Sequence, residues 1–184
     1  MIGFAVAGAL VAGIMLWAVV LYNGLVRKRN MVEEAWSGID VQLKRRTDLI
    51  PNLVVTVKGY AAHEQSTLEE VVRLRGQAQK AQGVGETAQT QELLGAALGK
   101  LFALAENYPD LKANTTFLQL QNSLQEIEEQ IQLARRYYNG AVRELNIAVE
   151  AFPSNLIAGR FNFTKAEFFE LESTTERSVP KVEF

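Results

Sequence analysis

From Ile2 to Tyr22 the side chains are apolar or small and none is charged, and the pattern changes abruptly at Arg27, Lys28 and Arg29. A run of about 20 such residues rising 1.5 Å each matches a hydrocarbon core roughly 30 Å thick and predicts one transmembrane helix. Further on, apolar residues recur in alternating steps of four and three: Ala113, Phe117, Leu120, Leu124, Ile127, Ile131, Ala134, Tyr138, Ala141, Leu145, Ala148 and Phe152. That 3.5-residue period predicts a helix of roughly 60 Å with one seam for partner helices, ended by Pro153. The same register runs from Val32 through Trp36, Ile39, Leu43, Arg46, Ile50, Leu53, Val57, Tyr60, Glu64, Thr67, Val71, Leu74 and Ala78 to Ala81, with polar breaks at Arg46, Glu64 and Thr67.

Pro51 lies within this second run and either starts a new helix or kinks a continuous one. The unbroken phase favours a kinked helix, with Thr47 and Asp48 as local caps for the freed backbone groups and the first turn at Gly83–Gly85. A shorter helix is expected over 86–106, with Leu94, Ala97, Leu101 and Leu104 on one face, then a connection through Asn107, Tyr108, Pro109 and Asp110. After Pro153, Leu156, Ile157, Phe161 and Phe163 read as an apolar segment folding back. No stretch alternates apolar and polar residues as a half-buried strand would. The expected fold is therefore all-α, a single N-terminal transmembrane helix followed by an elongated antiparallel bundle of coiled-coil-like helices. Its parts are an anchor (1–26), a bundle (27–172) and a loosely ordered polar tail (173–184).

A cleaved signal peptide needs a basic n-region, an apolar core of about 7–15 residues and a small-residue cleavage site. The run at 2–22 has no preceding Lys or Arg, is too long, and is followed by Asn23, Gly24, Leu25 and Val26, which offer no such site. A retained anchor is the expectation. Arg27, Lys28, Arg29, Lys44, Arg45 and Arg46 all lie on its C-terminal side, which puts the N-terminus outside and the bundle in the cytoplasm, at a cell or inner membrane. The charges otherwise nearly cancel, to −2, so no global field favours nucleic acid; lipid contact is expected through the N-terminal helix, and the cluster Arg27–Arg29 reads as a topology anchor rather than a headgroup site. With no cysteine, disulfides and thiol chemistry are excluded.

No catalytic, cofactor or metal site emerges. His63 and Glu64 begin a zinc-protease pattern, but Thr67 stands where the second histidine belongs and His63 is the only histidine. Glu69, Glu70, Glu126, Glu128 and Glu129 read as solvated helix faces. Gly83 and Gly85 lack the lysine of a phosphate loop. Arg46 sits on the seam between Leu43 and Ile50, where either its stem packs while the guanidinium reaches water, or it forms a polar layer with a carboxylate of a neighbouring helix. Asn139 and Asn146, each one position beyond the seam, read as helix surface. Ala5, Ala9 and Gly13, flanked by Gly8 and Ala12, would let membrane helices approach closely. Phe161, Phe163, Phe168 and Phe169 lack room in a slender monomer, so a homo-oligomer is expected.

Four blocks then stand out: 48–54 (DLIPNLV), 108–114 (YPDLKAN), 134–139 (ARRYYN) and 152–158 (FPSNLIA). Their order and spacing resemble the LemA family over nearly the whole chain. Leu145 stands where that family often has tyrosine, and Asn162 where glycine is usual between Phe161 and Phe163. The resemblance implies a helical bundle on an N-terminal anchor, mostly cytoplasmic, and supplies no activity. It also implies a membrane zinc metalloprotease of the HtpX type as a partner, and, through magnetosome relatives, a link to membrane organisation. The combined expectation is a non-enzymatic scaffold or adaptor that self-associates, or alternatively a membrane-shaping protein with its own lattice.

If the basic residues set the orientation, a single cysteine introduced by Ser178→Cys resists a membrane-impermeant thiol reagent in intact cells and reacts after lysis. Labelling in intact cells would reverse the assignment.

Overall fold

The computed structural model describes residues 2–170, which contain six helices and no strand. They are α1 (Ile2–Lys58), α2 (Gln65–Ala78), α3 (Gly83–Ala105), α4 (Pro109–Lys112), α5 (Thr115–Glu150) and α6 (Ser154–Arg160). The all-α fold class is as expected from the periodicity. The polar tail at 173–184 and the last residues of the 27–172 segment lie outside the described residues. The chain forms two compact units: the first comprises 2–40 with Leu133–Phe168, the second Val41–Gln132 with 169–170. Both α1 and α5 contribute to each.

Helix α1 changes character along its 57 residues. Its most apolar stretch is long enough to cross a membrane and none of it is buried against the protein. Burial then begins at Leu25 and recurs at Val32, Ala35, Ile39, Leu43, Arg46, Ile50, Leu53 and Val57, the predicted register except that Ala35 replaces Trp36. The helix runs through Pro51, as the unbroken phase implied. It does not continue to Ala81, however, but stops at Lys58. The amides of Tyr60 and Ala61 both donate to the Val57 carbonyl, at 3.0 and 2.9 Å, which tightens the last turn past Gly59. Glycine costs helix stability, and the next register position is the exposed Tyr60, so nothing apolar holds another turn. The first turn is thus 59–64, and Gly83, at φ +77°, marks the second.

Pro51 has no amide hydrogen, so the carbonyl four residues earlier, that of Thr47, loses its helical donor. The Thr47 hydroxyl does not repair this; it donates to the Lys44 carbonyl at 2.9 Å. The missing donor comes from another helix: Arg75 Nε of α2 reaches the Thr47 carbonyl at 2.7 Å. The expected local capping is replaced by a tertiary hydrogen bond, because the freed oxygen faces α2 rather than its own side chain.

In the second unit, α2 packs on α3. The core joins Ile50, Leu53 and Val57 of α1 with Leu68, Val71 and Leu74, with Leu94 and Leu101, and with Phe117, Leu120 and Leu124 of α5. Phe102 meets Phe117 edge-on at 6.1 Å. Helix α3 starts three residues before its expected boundary, with Glu86 reaching back to accept the Gln82 amide at 2.9 Å. Asn114 caps α5 by accepting the Phe117 amide at 2.9 Å.

In the first unit, α1 and α5 run antiparallel. Lys28 pairs with Glu144 at 2.9 Å and the Trp36 ring meets that of Tyr138 at 5.4 Å, tilted by 58°, so sequence numbers rise on one helix as they fall on the other. Helix α5 ends at Glu150, and Phe152, expected on the seam, turns out to solvent. Its seam otherwise holds at Phe117, Leu120, Leu124, Ile127, Ile131, Tyr138, Ala141 and Leu145. Beyond α6, Asn162 adopts φ +57°, a left-handed conformation that asparagine tolerates best after glycine, so the turn persists without the usual glycine. It directs Phe163 into a small core with Leu25 and Ala158. Phe163 and Phe169 are buried within the chain and Phe168 is half-buried. Three of the four aromatics expected to lack room thus find it in one copy, because the segment after α6 folds back, while Phe161 stays 55% exposed.

Arg75→Met leaves the Thr47 carbonyl without its cross-helix donor and is expected to cost about 1–3 kcal/mol. In a Pro51→Ala background, where residue 51 regains its amide, the same substitution should cost distinctly less. Thermal unfolding of the full chain in detergent reads this cycle; equal costs in both backgrounds would show that Arg75 does not serve the proline.

Candidate functional site

Arg46 lies at the centre of the second unit, only 4% exposed. Its Nη1 donates to Glu128 Oε2 of α5 at 2.6 Å, and Nη2 donates to both the side-chain oxygen and the carbonyl of Gln91 on α3, at 2.6 and 2.7 Å. The second sequence reading of Arg46, a polar layer closed by a neighbouring carboxylate, describes this arrangement. Glu128 is therefore misjudged as plain solvation: it is half-exposed, with one oxygen on Arg46 and the other accepting from Gln132 at 2.9 Å. It flanks the seam residue Ile127, close enough for a carboxylate to reach inward from the edge. Desolvation pushes the guanidinium pKa down, while the charge and hydrogen bond of Glu128 push it back up; arginine keeps its charge throughout. Arg46 Nε is buried without a partner. The layer is thus well connected at two nitrogens and unsatisfied at the third.

A second polar set ties the turn after α1 to the connection before α5. Tyr108 donates its hydroxyl to Glu64 at 2.9 Å, and Asn114 donates to the Tyr60 hydroxyl at 2.9 Å. The bond to Glu64, then partial desolvation and the Glu64 charge, raise the Tyr108 pKa. Pro109 starts α4, where a missing amide costs nothing, and Leu111 is fully buried. Within one block, Tyr108, Leu111 and Asn114 therefore fasten two connections.

In the first unit, α5 holds the segment that follows α6. Asn146 grips the Ala166 backbone with both ends of its amide, accepting from the Ala166 amide at 2.8 Å and donating to its carbonyl at 3.0 Å. Tyr138 donates to the Glu167 carbonyl at 2.8 Å, and burial, followed by the Glu167 charge, raises its pKa. Asn146 is thus no mere surface residue, as its spacing had suggested. An extended segment that pairs with no strand needs donors and acceptors from elsewhere, and a primary amide supplies one of each. Asn139 also has a partner.

The remaining candidates are dispersed. His63 is exposed in the 59–64 turn. Glu70 faces Lys100 at 3.7 Å, and Glu69 accepts from Gln65 at 2.8 Å. An open cleft beside the end of α1, lined by Val54, Lys58, Leu68, Glu69, Val72 and Arg73, brings together charges of both signs without a nucleophile. Among the described residues no group of three His, Cys, Asp or Glu side chains could hold a metal ion. Sequence reasoning missed Gln91 and Arg75; the signals were a seam arginine needing acceptors and a helical proline leaving a carbonyl free.

These features define a helical-bundle protein whose buried polar groups fasten helices to one another, with a first helix whose exposed apolar span can cross a membrane. The LemA family profile matches residues 35–184, and the chain belongs to that family. It is similar to magnetosome protein MamQ 2 of Paramagnetospirillum magneticum, 29% identical over 175 residues, covering 81% of this chain and 64% of the relative. Magnetosome protein MamQ of Magnetospirillum gryphiswaldense is 26% identical over 174 residues, covering 80% and 64%. Protein LemA of Metamycoplasma hominis is 26% identical over 150 residues, covering 80% and 68%. The match thus spans a little under two thirds of the MamQ relatives' length.

If the layer fixes helix pairing, Glu128→Leu strands the buried guanidinium and costs about 1–3 kcal/mol, the half-exposed carboxylate being partly replaced by water. Adding Arg46→Leu should recover most of that loss, since an apolar layer has no charge to leave unpaired. Chemical unfolding of the full chain measures both; a double variant no more stable than Glu128→Leu would refute the pairing argument.

Proposed function

We propose that this chain is a non-enzymatic, membrane-anchored helical scaffold that self-associates and serves as adaptor for another membrane protein. The observation that carries the proposal is the change of character along α1: an apolar span exposed on all sides runs without a break into a helix buried on one side only. Such a helix joins a lipid-facing anchor to a packed domain. Support also comes from the polar side chains. Arg46, Arg75, Glu128, Tyr138 and Asn146 are engaged in holding helices and backbone, which is the chemistry of a framework. The outer face of α5 in the first unit leaves Leu133, Tyr137 and Ile147 exposed, an apolar stripe suited to a second helix.

The basic residues after the span favour a bundle on the cytoplasmic side of a cell or inner membrane, crossed once. An HtpX-type zinc metalloprotease is the partner to test first, on family resemblance. A second reading, a membrane-shaping protein acting through its own lattice, is favoured by relatives named as magnetosome proteins.

Affinity purification of the full chain from native membranes in mild detergent, followed by light scattering on the eluted particle, tests both. Several subunits with a discrete second membrane protein are expected; bare homomeric assemblies that deform vesicles favour the shaping role. Gly13→Ile, on an open face of the span, should lower the particle mass. A monomer without any co-purifying protein, unchanged by that substitution, would remove the scaffold reading.

A further inference from the structure

Three large apolar side chains stay largely exposed where α5 gives way to α6: Phe152 is 80% exposed, Leu156 62% and Phe161, one edge of which meets Tyr22, 55%. Their neighbours Ile157, Ala158 and Phe163 pack inward, against Leu25 and Val26 of α1. This corner therefore has one apolar face packed within the chain and a second left mostly uncovered. Isolated exposed apolar residues are ordinary, but three large ones beside a single short helix form a patch that water disfavours.

The position of the patch identifies what covers it. Phe161 meets Tyr22, the last residue of the apolar span, edge-on at 4.9 Å, and Phe163 meets the same ring at 5.7 Å. The antiparallel register gives the same level independently. Six residues back from Lys28 is Tyr22, and six onward from its partner Glu144 is Glu150, a rise of about 9 Å on each helix. Phe152 follows immediately. The patch is thus continuous with the exposed span and level with its end, which Tyr22 marks as tyrosine commonly marks membrane–water boundaries. The charges are compatible with this: residues 151–166 contain no Asp or Glu, Arg160 is exposed, and Lys165 neutralises the adjoining Glu150 in an ion pair at 2.7 Å. Arg29 lies with its guanidinium 5.3 Å from the centre of the Phe163 ring. Cations beside apolar side chains suit the boundary between headgroups and acyl chains.

We propose that Phe152, Leu156 and Phe161 form a second membrane contact, inserting into the headgroup–acyl boundary of the bilayer that α1 crosses. The occupant of the patch is lipid, because the patch adjoins the end of the lipid-facing span through Phe161 and Tyr22; a membrane protein seated there instead is an outcome that the test below separates. The contact rests on the reading of Ile2–Tyr22 as a membrane span. It would hold the helical domain against the bilayer by two points, the span and the corner.

The chain has no cysteine, so single nitroxide labels can be placed without background. The full chain carrying Phe152→Cys, Leu156→Cys, Val11→Cys or Gln125→Cys, the last at an exposed polar position, is labelled in mixed phosphatidylcholine and phosphatidylglycerol vesicles. Accessibility is then measured to oxygen, which enters lipid, and to a nickel chelate, which stays in water. Labels at 152 and 156 should show an oxygen-to-nickel ratio severalfold above that at 125, approaching the ratio at 11. A ratio at 152 and 156 equal to that at 125, with 11 lipid-like, overturns the second contact and leaves the span intact. A water-like label at 11 overturns the span itself. Protection of 152 and 156 from both reagents means that a protein covers the patch and also overturns the proposal.

Discussion

Two adjacent residues of α1 connect all four long helices that supply the core of the second unit. Arg46 bonds Gln91 of α3 and Glu128 of α5, while the carbonyl of Thr47 accepts Arg75 of α2. Both links arise from a deficit. An arginine placed on an apolar seam must find acceptors, since burying its charge unpaired costs several kcal/mol. A proline inside a helix leaves one carbonyl without a donor. Each deficit is met only when the other helices stand in one particular arrangement, so local irregularity in α1 becomes a condition on the packing of its neighbours.

The first unit uses the same logic on a chain segment rather than a helix. Residues after α6 run extended along α5, and their backbone groups need partners that neither helix nor sheet provides. Asn146 meets one residue's amide and carbonyl together, and Tyr138 meets a second carbonyl one residue on. Once that segment is held, Phe163 fills the space beside Leu25 and Ala158. The polar contacts set direction, and the apolar contact supplies most of the burial. The blocks that mark the family thus act through helix and segment contacts: Pro51, which frees the Thr47 carbonyl, Tyr108 and Asn114 at the connections, Tyr138 on the segment after α6, and Ala158 in the small core.

Much of this is legible from periodicity. Most buried positions of α5 from Phe117 to Leu145 follow the 3.5-residue spacing, as do most of those of α1 from Val32 to Val57, with Val142, Ala35 and Thr47 buried off the register. Periodicity fails at the end of α1 because the phase survives the turn: Val57 and Val71 are both buried although 59–64 is not helical. A heptad count registers phase and not continuity, and Gly59 is the residue to weigh against it. The polar partners are less accessible. Arg46 announces a need for acceptors, but whether Glu126, Glu128 or Glu129 answers depends on the rotation of α5. Asn146 looks like surface because its partner is a backbone, and backbones leave no compositional trace. Phe161 and Phe163 look alike in the sequence, yet one is exposed and the other buried, a difference made by the left-handed turn at Asn162 between them.

The unsatisfied Nε of Arg46 bears on why a polar layer sits in an otherwise apolar seam. A seam of this kind offers alternative pairings one heptad apart, about 10 Å along the axis, and apolar side chains discriminate poorly between them. Sliding α5 by one heptad would replace Glu128 opposite Arg46 with Gln121 or, in the other direction, with Arg135, neither of which is a carboxylate. The guanidinium would then be buried without its counter-charge, a penalty of about 1–3 kcal/mol given that the carboxylate is half-exposed. The layer therefore works chiefly by penalising wrong registers. It tolerates one unmet donor in the correct register because a slip of one heptad either way takes the carboxylate from the same group as well.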